Sequence, residues 1–220
     1  MKLLGLTGDI ACGKSSVAQV LVELGAAHVD ADQLVHDLYA DRTFATQVVA
    51  LFAPRFENNV VAAVQALIKE DGSVNRVALA ALVFNDAAAL RQLEALVHPA
   101  VAALREVHLR ILREREEPPE IVVLEAVKLI ESGQWRGCDV LWCVVCERQV
   151  QLERLMQARG LDEAAARARL DAQPPFRDKM DMLGGASLTL IHNNGTPEQL
   201  RAQVLAAWNR LNDPARAGEA

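Results

Sequence analysis

The segment Gly8-Asp-Ile-Ala-Cys-Gly-Lys-Ser15 lies between a short apolar run at residues 2–7 and a helical pattern over about 14–24. It fits G-x-x-x-x-G-K-[ST] at every position, in the strand-to-helix context that gives this pattern its meaning. Its glycines let the backbone curl round an anion, the N–H groups at the helix start donate to that anion, and the helix dipole adds positive potential. A nucleotide β-phosphate suits such a cradle. Lys14 would reach the β- and γ-phosphates, and Ser15 is placed to ligate a Mg²⁺ that bridges them. The bland reading, a glycine-rich turn carrying a chance Gly-Lys-Ser, leaves the flanking strand and helix unexplained. The candidate nucleotide-binding residues are therefore Gly8, Asp9, Ile10, Ala11, Cys12, Gly13, Lys14, Ser15 and Ser16.

A strand feeding such a loop predicts an α/β layer fold. With 51% hydrophobic but only 4% aromatic residues, the core must be built from Ala, Leu and Val. Further strands are expected at 26–30, 121–124, 139–145 and 188–191, making five, and their near-continuous apolar runs are those of a buried parallel sheet. Asp30, Asp32 and Glu125 stand at or just past strand ends, where open parallel sheets bind ligands. Residues 31–117 read as almost entirely helical, punctuated by Asn58-Asn59, Asp71-Gly72-Ser73 and His98-Pro99, and form a lobe inserted after the second strand. Helices are expected at 147–159 and 162–173, the second stopped by Pro174-Pro175, and a last one runs from Thr196-Pro197-Glu-Gln199 to about Asn212. The predicted organisation is a core of 1–31, 118–150 and 184–213, a helical lobe at 32–117, a segment at 151–183, and a frayed tail at 214–220.

A net charge of −6 argues against broad nucleic-acid binding. No signal-peptide layout and no bilayer-length apolar run is seen, so a cytoplasmic location without membrane attachment is expected. Cys143 and Cys146 spell C-x-x-C, but positions three apart on a strand face opposite ways and no second Cys or His pair accompanies them. They read, with Cys12 and Cys138, as thiols of a reducing compartment. A guanine-reading Asn-Lys-x-Asp is absent, and Asp181-Met-Leu-Gly184 follows no strand. The third strand ends Leu-Glu-Ala rather than in the Asp-Glu of motor ATPases.

Beyond the loop, Val29-Asp-Ala-Asp32, Asp71-Gly-Ser-Val-Asn-Arg76 with Phe84, and His98-Pro99 occur in the order and spacing of the dephospho-coenzyme A kinase family. Cys138-Asp139, Gln151 with Arg154 and Arg159, Gln173, and Ile191-His-Asn-Asn-Gly195 extend the resemblance over roughly residues 2–205. It implies a three-layer P-loop kinase fold in which the helical lobe binds the acceptor and 151–183 is a lid. The implied reaction moves the ATP γ-phosphoryl group, with Mg²⁺, to the ribose 3′-hydroxyl of dephospho-coenzyme A. Partners are then these small molecules, and no obligate protein partner is expected. Asp32 matches the family's base, with Asp30 the fallback; Arg154 and Arg159 match its lid arginines. Asn193, Asn194 and Gly195 match its adenine-side loop, and Arg76 and His98 fall on the acceptor side. Each has a bland counterpart. Asp32 could cap a helix, Arg76 and Arg154 could be surface arginines, and His98-Pro99 could mark a capped helix junction.

The sequence also departs from the family. Asp9, Ala11 and Cys12 replace Gly, Gly and Ser of the usual loop, so a carboxylate is added and two flexible positions are lost. Asp9 is read as repelling nucleotide, facing the acceptor or sharing the base role, and Cys12 as a thiol that ionises readily at a helix start. Val127-Lys-Leu-Ile-Glu131 stands where the family has Pro-Leu-Leu-x-Glu. This makes Lys128 either an extra acceptor-phosphate contact or a surface lysine, and leaves Glu125 and Glu131 without a role. Two other readings stay open: a kinase for a nucleoside or nucleoside monophosphate, and a nucleotide-binding regulator.

Overall fold

In a computed structural model that describes residues 1–213, with Arg159 described by its backbone alone, the chain divides into two compact units: residues 1–30 with 112 onward, and residues 31–111. The tail at 214–220 lies outside the described residues. The first unit is built on five strands: β1 (Lys2–Gly8), β2 (Ala27–Asp30), β3 (Ile121–Glu125), β4 (Val140–Val145) and β5 (Thr189–His192). They pair in parallel in the order β2-β3-β1-β4-β5. The register sets Leu4 beside Val123 and Val140, and Leu6 beside Glu125 and Trp142. Every residue of β3 is buried, as its unbroken Ile-Val-Val-Leu run requires of a strand covered on both faces.

After β1 the chain enters α1 (Lys14–Glu23), whose Val17 and Leu21 are fully buried against Leu4, Leu6, Trp142 and Val144. The second unit follows: α2 (Ala31–Ala40), α3 (Arg42–Phe52), α4 (Val60–Leu67), α5 (Arg76–Val83) and α6 (Ala87–Arg113). Asp41, Asn59 and Asn75 cap α3, α4 and α5 by accepting the backbone N–H groups of Phe44, Ala62 and Ala78. The cap at Asn59 and a turn in which Asp71 Oδ1 accepts the Ser73 N–H account for two of the breaks expected here. The third does not occur, because α6 runs straight through His98-Pro99. Pro99 removes one helical hydrogen bond, a cost of about 3 kcal/mol in a helix interior. Ala89, Leu93, Val97 and Val101, spaced four apart, are all buried along the same helix and offset it.

Back in the first unit come α7 (Arg148–Arg159), α8 (Glu163–Asp171), α9 (Phe176–Leu183) and α10 (Pro197–Leu211). A capping box of Thr196 and Gln199 starts α10, and Leu200 and Val204 seat it on the sheet. The sequence reading left α9 as a break after Pro174-Pro175. Pro175 is in fact its N-cap and Gly184, at φ +59°, its C-cap, so the prolines that stop one helix also start the next. No helix among the described residues is long and apolar enough to cross a membrane.

Candidate active site at the phosphate loop

The loop joining β1 to α1 owes its shape to two glycines. A Cβ at Gly8 would collide with the Val144 carbonyl oxygen, and one at Gly13 with the Asn193 side-chain amide. Gly13, at φ +90°, is the N-cap of α1 and offers no side-chain cap, so the first N–H groups of that helix are left without one. The loop's carbonyls, in contrast, are held by side chains from other elements. Gln151 of α7 donates to Ile10 O at 3.1 Å, Asn193 donates through Nδ2 to Cys12 O at 2.8 Å, and the Ile10 N–H donates to Gln173 Oε1 at 3.1 Å. Arg154 donates to the carbonyls of Ala11 at 3.3 Å, Cys12 at 3.4 Å and Asn193 at 3.0 Å. Its guanidinium thus stitches α7 to the loop and to the end of β5.

Lys14 is buried, and its Nζ donates to Gly8 O at 3.1 Å, across the mouth of the loop. Ser15 Oγ donates to Glu125 Oε1 at 3.2 Å, and Glu125 Oε2 lies 3.1 Å from His28 Nε2. Burial opposes ionisation of Glu125, but the hydrogen bond and charge of His28, with Lys14 and Ser15 nearby, outweigh it and hold the carboxyl below its usual range. The hydrogen bond to Glu125 raises His28 above its ordinary value. A hydroxyl and a buried carboxylate at adjacent strand and helix ends make a hard-oxygen donor pair that suits Mg²⁺. No group of three or more His, Cys, Asp or Glu that could cage a metal exists among the described residues.

Beside Gly13 and Ser16 opens a cavity of about 520 Å³, lined by Val20 and Leu200 on its apolar side and by Arg154, Asn193 and Gly195 on its polar side. An apolar wall with a few fixed polar groups, next to a phosphate cradle, is the form of a site for a base and ribose. The dephospho-CoA kinase family matches residues 2–198.

The chain is a member of that family.

It is 36% identical to the dephospho-CoA kinase of Geobacter sulfurreducens over 94% of this chain and 98% of that one. It is 37% identical to that of Moorella thermoacetica over 99% and 98%. Among solved structures it resembles the dephospho-CoA kinase from Campylobacter jejuni, with a TM-score of 0.67, 25% identity and coverage of 95% and 96%. TT1252 from Thermus thermophilus is as similar in fold, with a TM-score of 0.67 at 28% identity over 96% and 98%.

In this dephospho-CoA kinase family member the carboxylate of loop residue Asp9 is paired with the ammonium of Lys179 from α9. Lys179, 2% exposed, also reaches Glu131 Oε1 at 3.2 Å. Burial opposes the charge on Lys179, but the two carboxylates outweigh it and raise its pKa. Asp9 is therefore paired with a cation from α9. Cys12 is 1% exposed, with Sγ 3.4 Å from Cys146 Sγ and 3.2 Å from Gln151 Nε2, so this thiol at the helix start is buried. Lys128 is exposed. Asn194 pairs with Glu147, exchanging bonds of 2.7 and 3.3 Å, and so ties β5 to the start of α7, while its neighbour Asn193 reaches the loop. The side chain of Arg159 lies outside the described residues. Asp32, Arg76 and His98 belong to the helical unit: Asp32 in the first turn of α2, His98 exposed on α6, and Arg76 bonded to His36 Nδ1 at 3.1 Å and stacked over Tyr39.

Glu125, Glu131, His28, Gln151, Gln173 and Lys179 were not assigned site roles by sequence reasoning. A buried acid at a strand end was the one signal available, and it pointed at Glu125.

Proposed function

We propose that this chain transfers the γ-phosphoryl group of ATP to the ribose 3′-hydroxyl of dephospho-CoA, giving CoA and ADP. The observation that carries this reading is the family match over residues 2–198, together with a phosphate loop whose Lys14 and uncapped helix start are in place. The β-phosphate sits on the α1 N–H groups, Lys14 turns from Gly8 O to the β- and γ-oxygens, and the adenine side occupies the cavity by Arg154 and Asn193. Mg²⁺, held by Ser15 with Glu125 behind it, would neutralise charge on the phosphates. Arg154 and Arg159 are assigned to the phosphates and to excluding water. Asp32 is assigned as the base that accepts the 3′-hydroxyl proton, and Arg76, His98 and Lys128 to the acceptor side. The reaction is assigned to the cytoplasm, whose reducing conditions suit four free cysteines.

The test is ATP consumption with Mg²⁺ and dephospho-CoA, beside adenosine and AMP as acceptors, with mass detection of products. Phosphorylated dephospho-CoA is expected, and Lys14→Ala should lower its formation by at least about 10²-fold. ATP binding with no phosphorylated acceptor would overturn the reading in favour of a nucleotide-binding regulator.

A further inference from the structure

The loop residue Cys12 faces a second cysteine. Its Sγ lies 3.4 Å from Cys146 Sγ, and Cys146 follows β4 (Val140–Val145) at its carboxyl end, next to the loop. The two are 134 residues apart in sequence, so the contact is made by the β1–β4 pairing and by no local motif. Cys12 packs in the core while Cys146 is half-buried at its edge, so the pair lies within reach of a small oxidant. From this geometry we propose that Cys12 and Cys146 are an oxidative modification site: a hydroperoxide converts them to a disulfide that disables the phosphate loop.

The surroundings favour the chemistry. Cys146 donates its S–H to Cys12, and this bond, reinforced by Gln151 and opposed by burial and by Asp9, lowers Cys12 to about 7. The same bond pushes Cys146 up, so Cys12 is the thiolate and Cys146 keeps its proton. The Cys12 thiolate attacks one peroxide oxygen, breaking the O–O bond to give Cys12–SOH and hydroxide. Cys146 sulfur then attacks the sulfenic sulfur. Its proton goes to the departing hydroxyl, and water leaves as the S–S bond forms. The hydroxide takes up the proton that Cys12 released on ionising, so across both steps two thiols give up two protons and two electrons, and one hydrogen peroxide becomes two waters.

Closing the bond brings the sulfurs from 3.4 Å to about 2.05 Å. Cys146 is anchored by a strand end, so the movement falls on the loop. There Cys12 O is held by Asn193 and Arg154, and Gly13 fits under the Asn193 amide with no room to spare. Drawing Cys12 toward β4 strains those contacts and re-aims the N–H groups at the start of α1. The effect on affinity rests on the nucleotide reading above, whereas the cross-link itself does not.

The experiment treats reduced enzyme with hydrogen peroxide, maps the peptides by mass and measures ATP affinity by calorimetry before and after dithiothreitol. Expected are a Cys12–Cys146 linked peptide, an ATP affinity lowered at least about tenfold, and recovery with dithiothreitol. In Cys146→Ser, which retains a hydroxyl donor to Cys12, reduced activity is kept. Peroxide then leaves a Cys12 sulfenic acid that dimedone traps. Oxidation confined to Cys138 or Cys143, or a 12–146 link that leaves ATP affinity unchanged, would overturn the proposal. Failure of the reduced enzyme to bind ATP would instead sink the nucleotide reading, with the linked peptide still scored by mass.

Discussion

Ala11 holds a conformation that suits glycine better, at φ +61° in the phosphate loop. An L-residue with a Cβ costs roughly 1–2 kcal/mol there, part of which glycine returns through the freer unfolded chain. Ala11→Gly should therefore stabilise the protein by about 0.5–1 kcal/mol, read as a higher urea midpoint at unchanged slope. A lower midpoint would mean that the Ala11 methyl, packed with the α7–α8 cluster of Leu152, Leu155 and Leu170, contributes more than the strain costs. That Ala11 and Cys12 stand between the loop's two glycines is visible in the letters alone. The backbone angle and the burial of Cys12 are not, because both depend on what Gln151, Arg154 and Asn193 do to the loop from far along the chain.

Between elements, α9 ties the phosphate loop to Glu131 through one buried side chain. Lys179 carries one positive charge into a site where Asp9 and Glu131 bring two negative ones, and one Glu131 oxygen, Oε2, is buried with no hydrogen-bond partner. Removing the ammonium leaves two partly buried carboxylates without their shared cation. Lys179→Met should cost about 3–5 kcal/mol, the range for breaking a buried ion pair, measured by denaturant unfolding. Asp9→Asn should cost clearly less, since Lys179 keeps Glu131. Equal losses would show that Asp9 rather than Lys179 organises the cluster. None of this was legible beforehand. The Pro174-Pro175 pair reads as a helix stop, although Pro175 caps the start of a further helix of eight residues. The opposite error at His98-Pro99 has the same root, since a proline's effect on a helix depends on how much burial the rest of that helix supplies.

At the scale of the whole molecule, all three tryptophans, Trp135, Trp142 and Trp208, lie in the sheet-bearing unit, so their fluorescence follows its unfolding. The His28–Glu125 pair should give that unfolding a pH signature. His28 is raised by its partner, so its contribution is complete below the ordinary histidine value of 6.5 and fades as pH climbs through the raised folded value. Glu125 is lowered, so its contribution is complete above the ordinary 4.5 and fades as pH falls through the depressed value. The pair is worth most between those limits. His28→Gln should lower the urea midpoint at pH 6 and approach the parent by pH 9; a deficit constant over that range would assign His28 a packing role instead. Sequence by itself determined the phosphate loop, the five apolar strand runs and the long helical insertion, because each is written in adjacent residues and a local period. Tertiary structure alone decided that Ser15 meets Glu125, Asp9 meets Lys179 and Cys12 meets Cys146, at separations of 110, 170 and 134 residues. Those encounters follow from the order β2-β3-β1-β4-β5, which brings the carboxyl ends of distant strands beside one loop, and strand order is a property of global packing that no local pattern encodes.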